Sequence, residues 1–173
     1  MNKQIFITNG MARCGKDTFA RFLNHIVPTM KYSSIDKVKE IATLCGWNGG
    51  KTEKDRKFLS DLKALTSEYS NMSFWAVKVK VDEFMSNDRH EVMLIDIREP
   101  SEIKKAQDFF AFFGVEVKTI LIENTRVEFI NSNDADANVY NYTYDYVVQN
   151  NGTFEDFVQN VNQFAKDIGV INV

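Results

Sequence analysis

The chain has 173 residues, 21 basic and 24 acidic, with a net charge of −3, which is room for one domain with one substantial core. No clustered positive footprint marks a protein built to coat nucleic acid, and no apolar run approaches the length of a bilayer span. The two cysteines, Cys14 and Cys45, lack metal-type spacing, and no signal-like charged and apolar regions open the chain, so a reduced, cytoplasmic setting is expected.

Lys3 to Thr8 is short, apolar and β-branched, and predicts a strand. A glycine-bounded loop, Gly10-Met11-Ala12-Arg13-Cys14-Gly15-Lys16-Asp17-Thr18, leads into a helix from about Asp17 to Ile26, closed by Pro28. Met30 to Ser33 predicts a second strand. Apolar residues at 35, 38, 41, 42 and 44 form a helical stripe that Gly46 to Gly50 ends. Thr52, with Asp55 three residues on, resembles a capping box for a helix whose stripe is Phe58, Leu59, Leu62 and Leu65. Ser73 is the expected cap of the next helix, with Phe74, Val77, Val81 and Phe84 at helical spacing. Glu91 to Ile97 is a near-continuous apolar run, as expected of a strand buried on both faces. Pro100 opens a helix with Ile103, Ala106, Phe109, Phe110 and Phe113 as its stripe, ended by Gly114. Val115 to Ile122 and Tyr144 to Val148 are further strands, and Phe154 to Ile168 is a last helix. The alternation of Tyr140, Tyr142, Tyr144 and Tyr146 would give the last strand one aromatic face. Strands alternating with helices predict a three-layer α/β fold with a mostly parallel central sheet, whose ligands sit at the carboxyl ends of the strands.

Strand, glycine-bounded loop with a lysine, then helix is a phosphate cradle. Gly10 and Gly15 let the backbone approach the phosphates without a Cβ in the way, and the loop's N–H groups form a concavity for anions. The helix start contributes roughly half a positive charge, and Lys16 a full one able to reach the β- and γ-phosphates. The hydroxyl that usually follows the lysine is displaced by one, to Thr18, where it can donate to the α-phosphate. Asp17 takes its place, and either holds Mg²⁺ or faces the acceptor. Cys14 is either a small space-filler or a thiol acidified by the helix start.

Asp96-Ile97-Arg98 falls at the carboxyl end of a predicted central strand. There Asp96 can orient water on Mg²⁺, and Arg98, on the same side of the strand, offers a planar fork to phosphate oxygens. Phosphoryl transfer needs alignment and positive charge around the moving group rather than covalent chemistry from the protein. Arg56, on a helix of the 45–90 region, either meets substrate phosphate or lies on a solvated face.

The string at 10–18 resembles the phosphate loop of phage-type deoxynucleoside monophosphate kinases, which belong to the P-loop kinase group. Three other segments are similar to that family: Tyr32 to Glu40, Asp96-Ile97-Arg98-Glu99-Pro100-Ser101-Glu102, and Asp145 to Asp156 with its Asn-Gly-Thr turn. The resemblance implies a P-loop kinase fold and ATP- and Mg²⁺-dependent phosphorylation of a nucleoside monophosphate. It implies Arg13 and Lys16 on ATP phosphates, together with Gly10, Ala12, Cys14, Gly15, Asp17 and Thr18 of the loop. It further implies Arg98 on the acceptor's phosphate and Asp36 and Lys39 lining the acceptor side. An acceptor-side helical insertion is expected at about 35–90 and a short lid at about 124–141. Arg126 is the lid's one basic residue, placed to stack on adenine, to reach the transferred phosphoryl group, or to lie on the surface. The expected partners are small nucleotides, with neither nucleic acid nor membrane, for a monomer or homodimer. Two other readings remain: a kinase for another acceptor such as dephospho-CoA, and an ATP-binding regulatory protein with weak turnover.

Overall fold

The computed structural model describes residues 3–127 and 138–171. Five strands, β1 (Gln4–Asn9), β2 (Thr29–Ser33), β3 (Val92–Asp96), β4 (Val117–Glu123) and β5 (Tyr146–Gln149), form one sheet in the order β2-β3-β1-β4-β5. Every pairing is parallel. Six α-helices are described: α1 (Lys16–Ile26), α2 (Asp36–Leu44), α3 (Glu53–Ser70), α4 (Met72–Ser86), α5 (Pro100–Phe112) and α6 (Phe154–Asp167), with a single 3₁₀ turn at Val139–Asn141.

The central strands read as continuous apolar runs because both faces are covered. Phe6, Leu94, Ile120 and Ile122 pack on one side against Phe19 and Leu23 of α1 and Phe157, Val161 and Phe164 of α6. Ile5, Ile7, Met93 and Ile95 pack on the other against Val77, Val81 and Phe84 of α4 and Ile103, Ala106 and Phe110 of α5. Chain order reverses direction across β1, with β3 on one side and β4 on the other. The crevice beyond the carboxyl end of β1 is therefore the topological switch point, where open α/β sheets bind ligands.

Four local expectations are corrected. Ser73 does not cap α4. Asn71, in the left-handed region at φ 51°, joins α3 to α4 by itself and puts Ser73 inside the helix. The stripe of α3 is not core: α3 buries no side chain, and Leu65 lies open to solvent, because the helix packs on α2 and α4 rather than on the sheet. Phe113 falls just past the end of α5 and is exposed, and Ile103, Ala106 and Phe110 carry the burial. Of the alternating tyrosines only Tyr146 lies on a strand. The Asp145 carboxylate accepts from the Thr119 backbone N–H (2.7 Å) and hydroxyl (2.8 Å), and β5 starts only at Tyr146. The capping boxes at Thr52/Asp55 and Thr153/Asp156 are both formed. Most of the expected lid, 128–137, lies outside the described residues.

Candidate active site

The glycine-bounded loop sits at the carboxyl end of β1, on the switch point. Gly10 (φ 149°) and Gly15 (φ 109°) adopt backbone conformations that side chains rarely take. A Cβ on Gly10 would come within 2.5 Å of the Ile122 carbonyl, and one on Gly15 within 2.6 Å of the Asn150 amide nitrogen. Arg13 is also left-handed, at φ 64°, and exposed. Met11 and Cys14 are buried in the core beside α1 and α6, so apolar side chains anchor the loop from below. Burial pushes the Cys14 thiol up, although the neighbouring Lys16 and Arg98 charges oppose the shift. Its full burial among the core residues beside α1 and α6 favours the space-filling alternative. Ala12 and Thr18 are half-buried.

The Lys16 ammonium lies within the loop, donating to the carbonyls of Gly10 (2.6 Å) and Met11 (3.1 Å). Those are weak partners for a full charge, and phosphate oxygens would be stronger ones.

Two asparagines that sequence reasoning passed over hold this loop in place. Asn9, fully buried, accepts from the Gly10 N–H (2.8 Å) and donates to the Arg98 carbonyl (2.9 Å) and the Tyr144 hydroxyl (2.8 Å). Tyr144 in turn donates to the Val139 carbonyl at 2.7 Å, and burial pushes its phenol up to about 12. One amide thus ties the loop to the end of β3 and to the segment before β5. Asn150, after β5, donates to the Cys14 carbonyl at 2.9 Å. The signal for Asn9 was an amide closing an otherwise apolar strand just before a glycine.

The second constellation lies on the neighbouring strand end. Asp96 is only 16% exposed at its side chain. It accepts from the Thr8 hydroxyl through Oδ1 and pairs with Lys31 through Oδ2 at 3.1 Å. Lys31, on β2, also hydrogen-bonds Asp17 at the start of α1. This bond holds the Asp17 carboxyl below the usual carboxylate range against partial burial. Burial disfavours the Lys31 charge, but Asp96 and Asp17 outweigh it and raise the ammonium above its ordinary value. Lys31 was invisible to motif reading because it sits mid-strand.

Two carboxylates bridged by an ammonium suit a cation. Among the described residues no group of three or more acidic, histidine or cysteine side chains could hold a metal. Mg²⁺ commonly takes one or two carboxylates together with substrate phosphates and water. Asp17 and Asp96 therefore fit a metal that arrives with phosphates, and not a cage made by protein alone.

Asp36 accepts from the Ser33 N–H at 2.9 Å and pairs with Lys39 at 3.2 Å, so both lie at the β2–α2 corner beside the rim. Arg56 is exposed on the first turn of α3, and no contact among the described residues joins it to the rim. The Arg126 guanidinium donates to the Asn150 carbonyl at 3.0 Å, which brings it to the segment that braces the loop. Beyond Arg98, Glu99 pairs with Lys63 of α3, bridging that helix to the rim. Burial alone would push the Glu99 carboxyl up, but Lys63 outweighs it and holds it low. Between α3, α4 and α5 lies a cavity of about 20 Å³ lined by Ser34, Lys63, Ser73 and Glu99. The buried Ser73 hydroxyl has no hydrogen-bond partner among the described residues.

No protein-family profile matches the chain, and no curated protein matches it in sequence. Solved structures do match its fold. The tunicamycin resistance protein of Deinococcus radiodurans superposes with a TM-score of 0.60 at 12% identity, over 98% of each chain. Thymidylate kinase of Candida albicans gives 0.55 at 10% identity, over 99% of this chain and 96% of that one. Dephospho-CoA kinase of Campylobacter jejuni gives 0.50 at 18%, over 96% and 97%. At these identities the likeness speaks for the fold alone: this chain's five-stranded, all-parallel α/β sheet flanked by helices matches the fold of these proteins.

Proposed function

We propose that this chain transfers a phosphoryl group from ATP to a nucleoside or deoxynucleoside monophosphate. The observation that carries the reading is the placement of two features side by side. A loop with Gly10, Gly15 and Lys16 occupies the switch point, and Asp96 and Arg98 end and follow the adjacent strand β3. Thymidylate kinase and dephospho-CoA kinase share the fold, which supports a phosphotransferase.

In this reading the loop amides and Lys16 bind the β- and γ-phosphates, with Arg13, Ala12, Cys14, Asp17 and Thr18 completing the nucleotide side. Lys16 exchanges its present carbonyl partners for phosphate oxygens, and stays with the γ-phosphoryl group as negative charge redistributes during transfer. Arg98 grips the acceptor's phosphate and orients one of its oxygens toward the γ-phosphorus. A new P–O bond forms there as the bond to the β–γ bridging oxygen breaks and ADP leaves. Asp36 and Lys39 line the acceptor side, in an insertion formed by α2, α3 and α4, with Arg56 at its outer edge. Arg126 covers the nucleotide from the β5 side. Asp17 and Asp96 would hold a Mg²⁺ that arrives with the phosphates, and it would neutralise phosphate charge. Asp96, fixed by Thr8, gives that side of the site its rigid carboxylate.

The test is ADP formation with ATP, Mg²⁺ and a panel of ribo- and deoxyribonucleoside monophosphates, with dephospho-CoA in the same panel. One or more monophosphates should raise ADP formation at least tenfold over ATP alone. Stimulation by dephospho-CoA only would move the reading to that acceptor. Tight ATP binding with no acceptor-dependent turnover would move it to a regulatory protein.

A further inference from the structure

Lys31 lies outside the phosphate loop, on the edge strand β2, yet its ammonium joins two carboxylates of the site. Its partners stand on different footings. Asp96 is largely buried and has its other oxygen taken by Thr8. Asp17 is 95% exposed at its side chain, on the open first turn of α1. The ammonium fills the gap between a fixed carboxylate and a movable one. Asp96 offers a divalent cation little else, since Thr8 holds Oδ1 and Lys31 holds Oδ2, and Mg²⁺ would need its oxygen at the shorter distance of about 2.1 Å. The ammonium and the metal therefore compete for Asp96 Oδ2.

We propose that Lys31 is a resident counter-cation. It closes Asp17 onto Asp96 in the nucleotide-free protein, and a divalent cation must displace it, so that metal uptake depends on nucleotide phosphates arriving together with the metal. The inference rests on the reading of Asp17 and Asp96 as metal-side residues given above. Its logic is competition. With nucleotide absent, metal gains two carboxylates but must break both contacts of Lys31. With nucleotide present, phosphate oxygens add ligands and negative charge, and the exchange becomes favourable. Apparent metal affinity falls in proportion to the fraction of molecules whose bridge is open. A bridge closed nine-tenths of the time weakens binding about tenfold, or about 1.4 kcal/mol. Lys31 acts here as a positioning residue, since it touches the carboxylates and not the reacting atoms.

The test is Mn²⁺ titration of the nucleotide-free protein, read from the loss of the free-ion signal in electron paramagnetic resonance. The parent is compared with Lys31→Gln, Lys31→Met and Lys31→Gln combined with Asp96→Asn, with folding checked by thermal melting. Both single variants should bind Mn²⁺ about tenfold more tightly than the parent, and the double variant should lose that gain. Single variants that bind no more tightly than the parent would overturn the proposal. The parent alone gives a second reading that needs no variant. Its Mn²⁺ affinity should rise at least tenfold beyond that of free nucleotide plus free protein when a non-hydrolysable ATP analogue is added. Equal affinity with and without the analogue would also overturn the proposal. Failure of the kinase reading shows up separately, as the lack of acceptor-dependent ADP formation, and leaves the single-variant Mn²⁺ comparison standing.

Discussion

Replacing Asn9 with Ala removes the amide on which the loop, β3 and the Tyr144 segment converge. The Gly10 N–H, buried at the start of the loop, loses its acceptor at 2.8 Å. Leaving such a donor unpaired costs about 1–3 kcal/mol. The bonds to the Arg98 carbonyl and the Tyr144 hydroxyl go as well, each contributing about 0.5–1.5 kcal/mol net. The sum is about 2–6 kcal/mol, a large share of the roughly 5–15 kcal/mol that holds a domain folded. For a chain of this length it lowers Tm by about 4–24 °C. Urea unfolding of Asn9→Ala, Tyr144→Phe and the double variant measures it. Tyr144→Phe should cost less, about 1 kcal/mol, and the double variant should fall short of the sum, since both singles remove the same bond. A loss below 1 kcal/mol for Asn9→Ala would refute the view that this amide organises the site.

Three further outcomes are expected. Gly15→Ala forces a Cβ onto a backbone at φ 109° and within 2.6 Å of the Asn150 amide. It should cost about 2–3 kcal/mol, combining left-handed strain with the Asn150–Cys14 bond, and unchanged urea unfolding would count against the bracing role. Ser73→Ala removes a buried hydroxyl without a partner among the described residues, and should leave stability unchanged or raise it by up to about 1 kcal/mol; a loss of 2 kcal/mol would mean that the hydroxyl is satisfied. Lys63→Met strands the half-buried Glu99 carboxylate, at a cost of about 1–2 kcal/mol, between exposed and buried pairs. Because the pair lowers the Glu99 pKa in the folded state, its stabilisation is full above the ordinary carboxylate range and fades as pH falls through the lowered value. The gap between parent and variant should therefore narrow on acidification, and a gap that widened below pH 4 would contradict the assignment.

Much of this architecture could be read from residue order. The apolar runs at 91–97 and 115–122 announced strands covered on both faces, and the loop announced itself by Gly10, Gly15 and Lys16. The capping box at Thr52/Asp55 was legible because it is local, three residues apart. What escaped is what depends on distant partners. Periodicity gave α3 an apolar stripe, but periodicity carries no information on whether a sheet lies underneath. Tyr142 and Tyr144 alternate like strand residues, yet Asp145 turns aside to bond Thr119, 26 residues away in sequence. Asn9, Asn150 and Lys31 matter through contacts that cross 89, 136 and, for Lys31, 14 residues of chain. No short window contains both ends of any of these.

The central claim is that the loop at 10–18 grips a triphosphate through its amides and Lys16. Calorimetric titration of ATP into the parent and into Lys16→Ala tests it most directly. Losing one charge-assisted phosphate contact of about 2–4 kcal/mol should weaken ATP binding at least thirtyfold while leaving the melting temperature of the ligand-free protein within a few degrees. ATP bound as tightly by Lys16→Ala as by the parent, or by neither, would contradict the account.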